Sequence, residues 1–244
     1  MPALNDASLR ALRRRQRRAT AALAASDPVL ARLIEAAGPC RLEPARDRPP
    51  WQHLARAIAH QQLNGNAAAT ILSRFVALYG DAGSFPTPGQ LLATPVATLR
   101  GCGFSASKVA ALQDLARHAL DGVVPDTATL DALDDEAIVA RLTVIRGIGR
   151  WTVEMLLMFQ LGRPDVLPVD DFGVREGLRL AYGLRQQPAP RVLSQWGVRW
   201  APWRSIAAWY LWRAVDLARA GKLPPPPRPA PRLPRLRRTR RVRR

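Results

Sequence analysis

Residues 142–173 read LTVIRGIGRWTVEMLLMFQLGRPDVLPVDDFG, and the fold prediction starts from this stretch. Gly147 and Gly149 bracket one apolar residue, Ile148, between an apolar run and a helical pattern over 151–161. Because glycine adopts positive φ without steric cost, Gly-x-Gly suits a tight turn between two helices. Such a turn presents backbone N–H groups at the positive end of the second helix, an arrangement that favours phosphate binding. A purely structural helix-helix turn is the alternative.

Two aspartates, Asp170 and Asp171, follow this hairpin shortly after Pro168. A helix of about eleven residues and a return loop bring a carboxylate back toward the hairpin. An aspartate at this place also suits the N-cap of a helix that begins near Phe172. Two adjacent aspartates allow both roles to be filled, and the hairpin, the spacing and the carboxylate together are more specific than any one of them.

The stretch resembles the signature of the helix-hairpin-helix DNA glycosylase superfamily, and GIGRWT followed by LPVDD is most similar to its 3-methyladenine DNA glycosylase II branch. The resemblance continues upstream in HLARAIAHQQLNGNAAATILSRF and downstream in APWRSIAAWYLW, so it covers roughly residues 51–216. It implies an all-α, two-lobed helical fold. It also implies a catalytic aspartate in the loop, which the alignment of DDFGV places on Asp171 rather than on Asp170.

The resemblance assigns three residues to a base pocket: Trp151, Met155 and Trp212. Relatives usually carry an aromatic residue at the position of Met155, and methionine is polarizable but offers no π surface, so we expect a different range of damaged bases. Each of the three also suits an ordinary helix core. Residues 61–64 form the loop between two predicted helices. In the related enzymes this loop supplies a side chain that fills the gap left by a flipped nucleotide, and the matching residue here is Gln62, with Leu63 as its neighbour.

Two turns are expected to hold the DNA backbone. The residues concerned are Gly147, Ile148, Gly149 and Arg150 in the central hairpin, and Gly101 and Gly103 in a second Gly-x-Gly turn. Ser105 is the predicted N-cap of the helix after the second turn, which runs to Leu120. This second turn suits a phosphate of the opposite strand, and a simple helix-helix corner remains the alternative.

Lysine usage separates two mechanisms. The only lysines are Lys108 and Lys222, and Trp151 stands at the position where bifunctional relatives carry the lysine that forms a Schiff base. The resemblance therefore implies a monofunctional enzyme that leaves the abasic site uncut. Cleavage of an N-glycosidic bond builds positive charge on the sugar, so a carboxylate near the anomeric carbon stabilises the transition state.

The sequence predicts no required cofactor. With only Cys40 and Cys102, it cannot build a four-cysteine zinc site or iron-sulfur cluster, and its three histidines lack metal-ligand spacing. The resemblance adds one candidate, a structural monovalent cation held by main-chain carbonyls at the hairpin. The matching donors are Thr143, Ile145 and Ile148.

Charge is concentrated at the two ends of the chain. Of the formal net charge of +18, residues 1–20 and 221–244 supply 15. We predict a basic N-terminal segment over 1–26, helical in composition from Ala7 to Ala25, a glycosylase domain over 27–220, and a disordered Pro/Arg-rich tail over 221–244. Attraction to double-stranded DNA, weakened by salt, is the expected consequence.

Without a long apolar run or a signal-peptide pattern, we expect no membrane association and a cytoplasmic, nucleoid-associated bacterial monomer. The leading hypothesis is a DNA glycosylase that excises alkylated purines, especially 3-methyladenine and also 7-methylguanine, in base excision repair. A uracil, mismatch or oxidised-base glycosylase is the alternative within enzymes. A non-catalytic DNA-binding module, in which Asp171 merely caps a helix, is the alternative outside enzymes, but it would not need the downstream carboxylate and aromatics.

Overall fold

The structure, a computed structural model, describes residues 6–63, 65–80 and 84–226. These residues form α-helices and no strand, which confirms the all-α prediction. The helices are α1 (Asp6–Ser26), α2 (Pro28–Ala37), α3 (Pro50–His60), α4 (Gly65–Ala77), α5 (Pro88–Ala93), α6 (Val96–Gly101), α7 (Ala106–Leu120), α8 (Thr127–Asp131), α9 (Asp135–Leu142), α10 (Arg150–Leu156), α11 (Phe172–Tyr182), α12 (Pro190–Gly197) and α13 (Arg204–Arg219).

Capping residues set several boundaries where the sequence predicts them. The Asp27 carboxylate accepts from the first N–H groups of α2, and Thr87 forms a capping box at the start of α5. The Ser105 hydroxyl caps α7, and Gly183 ends α11 in the left-handed conformation, with φ 66°. Three elements were not predicted: the short helix α8, a π-helical segment, Leu157–Leu161, that continues α10, and a 3-10 turn, Val198–Trp200, after α12.

The first of two compact units spans residues 44–162 and contains α3 to α10. Its core includes an aromatic group around Phe75, whose ring lies 5.4 Å from that of Phe104 and 5.6 Å from that of Phe85, edge to face. Leu54 and Ile58 on α3 are fully buried. Packing of α3 against α4, α7 and α10 holds the hairpin helices in place.

The second unit combines residues 6–43 with residues 163–226, so α1 and α2 fold with α11, α12 and α13. The most extensive helix contact is between α11 and α13, where a Cβ at Gly177 would lie only 2.0 Å from the Leu211 carbonyl oxygen. Glycine at 177 is therefore a packing requirement.

Helix α1 accounts for most of the predicted N-terminal segment, and the greater part of the predicted tail, from residue 227, lies outside the described residues. The domain boundaries at 26 and 220 stay predictions.

Candidate active site

The predicted hairpin is present as the connection between α9 and α10. Gly147 has φ 79°, and a Cβ there would lie 3.1 Å from the Ala111 Cβ, so both conformation and packing favour glycine. Gly149 differs from the expectation: its φ of −94° is open to any residue, and it serves as the N-cap of α10. Ile148 is buried between them and anchors the turn. Only one of the two glycines is thus needed for its backbone conformation.

Arg150, predicted to bind DNA, is engaged within its own unit. Its guanidinium forms a two-pronged ion pair with Glu136, with Nη1–Oε1 at 2.9 Å and Nη2–Oε2 at 2.5 Å, and Glu154 lies 3.9 Å away. The pair with Arg150 lowers the pKa of the Glu136 carboxyl. Any phosphate contact by this guanidinium would have to share it with Glu136.

Side chains connect the predicted wedge loop to the central hairpin, and the end of α3 that precedes the loop to the first turn of α7. The Gln61 side-chain amide donates to the Gly147 carbonyl at 2.8 Å, and the Lys108 ammonium donates to the Ala59 carbonyl at 2.7 Å. Gln62 adopts φ 57°, a left-handed conformation that costs a non-glycine residue about 1 kcal/mol or more. Strain of this kind concentrates at functional sites, and here it falls on the residue predicted to enter the duplex.

The second Gly-x-Gly turn resembles the first in that only one of its two glycines has a positive φ. Gly103 has φ 109°, and a Cβ there would meet the Ile71 side chain at 3.0 Å, whereas Gly101 is the last residue of α6. The Ser105 hydroxyl accepts from the Lys108 N–H at 3.2 Å and caps α7 as predicted. In each turn, therefore, one glycine is required by its positive φ and the other is not.

A cavity of about 610 Å³ opens in the first unit beside the wedge loop. It brings together three predicted site residues, Trp151, Met155 and Gln62, and Trp151 is 42% exposed. The other lining residues are Arg48, His53, Arg56, Ala57, His60, Gln61 and Thr152. Arg48, His53 and Arg56 were not predicted as site residues, because an isolated Arg or His in or just before a helix is also typical of a solvated face.

His53, one of the lining residues, has a pKa below that of an ordinary imidazole. Burial, reinforced by the nearby Arg48 charge, lowers the pKa of its imidazole from 6.5 to about 4. The ring is therefore neutral at physiological pH and adds no positive charge to the cavity.

Asp171 lies in the second unit and is 9% exposed. Its Oδ1 accepts from the Val174 N–H at 2.7 Å, which caps α11, and from the Trp212 indole N–H at 2.9 Å. Asp170 is exposed. Capping and catalysis are therefore not divided between the two aspartates, since Asp171 caps α11 and is also the residue proposed for catalysis.

Trp212 reaches Asp171 because glycine stands at position 173. A Cβ there would lie 2.8 Å from the Trp212 Cδ1 and 3.2 Å from the Asp171 Oδ1. Trp212 was predicted only as a lining residue, and the hydrogen bond to the carboxylate is a second property that the sequence did not reveal. The partners are 41 positions apart in the chain, so no local pattern connects them.

The described parts of the chain contain no group of three or more His, Cys, Asp or Glu side chains placed to hold a metal ion. The predicted carbonyl donors for a monovalent cation, at Thr143, Ile145 and Ile148, lie in the hairpin turn, and the Ile145 carbonyl already accepts from the Ile148 N–H at 3.0 Å. A carbonyl oxygen has a second lone pair, so the arrangement remains compatible with a cation. Over the described residues, no helix is long and apolar enough to span a membrane.

Comparisons with known proteins point to the same chemistry. Residues 55–202 match the family described as HhH-GPD superfamily base excision DNA repair protein. The chain is 39% identical over 188 residues to DNA-3-methyladenine glycosylase 1 of Schizosaccharomyces pombe, covering 77% of this chain and 82% of that protein.

Two solved structures are similar as well. The 3-methyladenine DNA glycosylase Mag1 of Schizosaccharomyces pombe, in complex with abasic DNA, has a TM-score of 0.75 and 38% identity over 82% of this chain and 98% of that one. A DNA-3-methyladenine glycosidase from Bacillus halodurans has a TM-score of 0.72 and 35% identity over 81% of this chain and 89% of that one.

Proposed function

This chain belongs to the HhH-GPD superfamily of base excision DNA repair proteins, and we propose that it is a monofunctional DNA glycosylase that excises alkylated purines from double-stranded DNA. The observation that carries the proposal is the Asp171 carboxylate, buried at the start of α11 and held by an indole N–H. Relatives named for 3-methyladenine support the alkylpurine substrate class.

Asp171 supplies the electrostatic part of the mechanism. As the glycosidic bond breaks, positive charge develops on the sugar, and a fixed carboxylate stabilises that charge without reorganising. The two donors on Oδ1 hold the group in one orientation. An alkylated purine already carries positive charge and leaves readily, so the reaction requires no strong general acid.

The cavity of the first unit supplies the part of the mechanism that holds the base. Trp151 presents an exposed indole for stacking, and Met155 lies one helical turn further along α10. Neutral His53 adds no further positive charge to a cavity whose lining already includes the guanidinium groups of Arg48 and Arg56.

Lysine chemistry is consistent with a monofunctional enzyme. Lys108 directs its ammonium to the Ala59 carbonyl at 2.7 Å, and burial lowers its pKa. Trp151 occupies the hairpin position at which related bifunctional enzymes carry a lysine. The proposed product is therefore an intact strand with an abasic site, which alkali cleaves and the enzyme does not.

Three further points belong to the proposal. The hairpin carbonyls of Thr143, Ile145 and Ile148 bind a structural monovalent cation, and no other cofactor is required. The protein acts as a monomer on DNA. It works in the cytoplasm at the nucleoid, which the two buried free thiols, Cys40 and Cys102, support because such thiols suit a reducing compartment.

The test is release of free bases from methylated duplex DNA by the wild type, Asp171→Asn and Asp170→Asn. Asparagine caps helices as well as aspartate does, so Asp171→Asn removes the charge while the cap remains. We expect release of 3-methyladenine by the wild type, a loss of about a hundredfold or more in Asp171→Asn, and little change in Asp170→Asn.

DNA binding by each variant is measured separately. Wild-type protein that binds methylated DNA and releases no base would exclude the alkylpurine assignment, and uracil, mismatched and oxidised bases would be screened next. Strand nicking without alkali would contradict a monofunctional mechanism.

A further inference from the structure

Helix α1 has one side that is buried against the rest of the second unit and an opposite side that carries exposed arginines. Its buried residues are Leu12, Gln16, Ala19 and Leu23. With about 100° of rotation per residue in an α-helix, these four form a narrow stripe along one side. The stripe packs α1 into the second unit, against α2 and α13. The 21-residue helix is therefore an integral part of that unit.

Four arginines lie on the opposite side of the same helix: Arg10, Arg14, Arg17 and Arg18. By the same rotation they fall within an arc of about 100° whose centre is diametrically opposite the buried stripe. We call these four residues the arginine face. All four are exposed.

Within the described part of the chain, the arginine face is not used for hydrogen bonds or ion pairs. None of its four side chains makes an ion pair or hydrogen bond with another described residue. Arg13, which lies beside the buried stripe, behaves differently: its guanidinium pairs with Glu43 and donates to the Gln16 side chain and the Cys40 carbonyl. Asp6, the acidic residue of α1, lies in its first turn, where a carboxylate stabilises a helix N-terminus.

We infer that the arginine face is a second DNA-binding surface, separate from the hairpin turns, which binds consecutive phosphates of the duplex without reading its sequence. From Arg10 to Arg18 the helix advances about 12 Å at 1.5 Å per residue. One strand of DNA places a phosphate about every 3.4 Å along the duplex axis, so this length matches three to four phosphates. Guanidinium groups pair with phosphates through two parallel hydrogen bonds, which suits this spacing of arginines.

The inference is tested by the salt dependence of binding to lesion-free duplex DNA. The full-length protein is compared with a variant in which Arg10, Arg14, Arg17 and Arg18 are all replaced by Gln, a good helix former that preserves α1. Each lost phosphate contact makes the slope of log K against log salt less negative by about 0.9, so we expect a change of about 3. Under saturating protein, single-turnover release of 3-methyladenine stays within about twofold, because the arginine face does not touch the reacting sugar.

Two matched variants separate a surface from a general effect of charge. Arg14→Gln with Arg17→Gln removes two charges from the arginine face, and Arg185→Gln with Arg191→Gln removes two exposed charges elsewhere in the same unit. The first pair should change the slope by about 2 and the second by less than half as much. A version with four lysines in place of the arginines should retain most of the wild-type slope.

The inference would be overturned if the two paired variants showed the same salt slope, or if the fourfold variant kept the slope of the wild type. The arginine face would then bind a partner other than DNA. Base release by the wild type, measured on the same preparation, tests the proposed glycosylase independently. A protein that releases bases normally but shows no change of slope would refute only the second surface.

Discussion

At the scale of single residues, the hydrogen bond from Trp212 to Asp171 is the contact most open to experiment. Trp212→Phe keeps an aromatic ring and removes the N–H that lies 2.9 Å from Oδ1. A hydrogen bond to a charged group contributes about 1.5–3 kcal/mol, so we expect single-turnover base release to fall by roughly ten- to a hundredfold. The free energy of unfolding should change much less, because the ring still packs against Gly173.

Trp209→Phe is the control for that variant, since Trp209 lies on the same helix and contacts Tyr210 and Arg213 rather than Asp171. Equal rates for Trp212→Phe and Trp209→Phe would show that the indole N–H does not position the carboxylate.

His53 gives a prediction about pH and stability. Its folded pKa of about 4 lies below the value of 6.5 for an ordinary imidazole, so between these pH values the unfolded chain binds a proton that the folded protein does not. The free energy of unfolding therefore decreases as pH falls through this window, at most by about 1.4 kcal/mol per pH unit from this residue, and its loss is complete near pH 4. Urea unfolding of His53→Gln should show a shallower decrease than the wild type.

His60, which is exposed, provides the comparison on the same helix. If His53→Gln and His60→Gln give the same curve as the wild type, the imidazole of His53 is not held neutral by the fold.

At this scale, features with a local pattern could be predicted from the sequence and those without one could not. The aspartate cap of α11 and the Ser105 cap of α7 follow from the N-cap rule, which needs only a few neighbouring residues, whereas the catalytic role of Asp171 stays a prediction. The bond between Trp212 and Asp171 depends on how α11 and α13 cross, and the neutral state of His53 depends on burial in a folded unit. Neither this hydrogen bond nor the neutral state of His53 can be predicted from the spacing of residues along one helix.

At the scale of elements, the crossing of α11 and α13 fixes the distance between Asp171 and Trp212. Gly177→Ala would place a Cβ 2.0 Å from the backbone oxygen of Leu211, far closer than van der Waals contact allows, and this oxygen cannot rotate away. We expect the helices to separate and the free energy of unfolding to fall by about 3 kcal/mol. Base release should fall as well, since Asp171 and Trp212 lie on the two separated helices.

Gly89→Ala is the matched control, because a Cβ at Gly89 on α5 has open space around it. It should be neutral or stabilise the protein by up to about 1 kcal/mol through its higher helix propensity. If chemical denaturation gave Gly177→Ala the stability of the wild type, the close approach of α11 and α13 would not be a packing requirement.

The loop after α3 is a second element whose geometry depends on contacts distant in sequence. Gln61→Met keeps the side-chain length but removes the amide that donates to the Gly147 carbonyl. Without this bond the strained conformation of Gln62 loses support, and we expect base release from a paired lesion to fall by about tenfold, the effect of about 1.4 kcal/mol. The defect should shrink when the lesion lies opposite a mismatch, because flipping then costs less.

Gln90→Met, in an exposed capping box on α5, is a glutamine control that should leave base release unchanged. An equal defect on paired and mismatched lesions would indicate that Gln61 acts on some step other than extrusion of the nucleotide.

Capping chemistry explains why most element boundaries could be predicted and a few could not. Asp27 before Pro28 and Thr87 before Pro88 carry their boundary signals within a few residues. Helix α8 has five residues and a single Asp126 cap, too short for a periodic pattern. The π-helical segment after α10 leaves no distinct pattern in an apolar sequence, and the sequence therefore predicted one continuous helix.

At the scale of the whole molecule, the second unit is built from two stretches that are far apart in the chain. The first 38 described residues fold with the residues that follow position 162, and the family match, 55–202, begins after them. Asp27 shows why they belong there. Its carboxylate is 3% exposed and accepts from the Tyr182 hydroxyl at 2.6 Å and the Trp200 indole at 3.1 Å. Burial, followed by the Asp27 charge, raises the pKa of Tyr182 well above its usual value.

A protein shortened to residues 44–226 tests this organisation. The deletion removes the acceptor of two buried donors, on Tyr182 and Trp200, at about 1–3 kcal/mol each, and uncovers the faces of α11 and α13 on which α1 and α2 pack. We therefore expect the second unit to unfold at a temperature lower by about 10 °C or more, with loss of base release, although the family match is complete. Thermal unfolding followed by circular dichroism measures the effect.

A protein that keeps residues 1–43 and ends at Pro226 is the control, because the two shortened proteins then share the same C-terminus, and we expect the large loss of stability only in the one that lacks residues 1–43. Asp27 accepts from both donors, so the point variant Asp27→Leu should reproduce a large part of the effect of the longer deletion, since it leaves the same two donors without an acceptor. If residues 44–226 melted like the full chain and released 3-methyladenine at the same rate, α1 and α2 would be accessory to the second unit. Their contribution would then be limited to the arginine face.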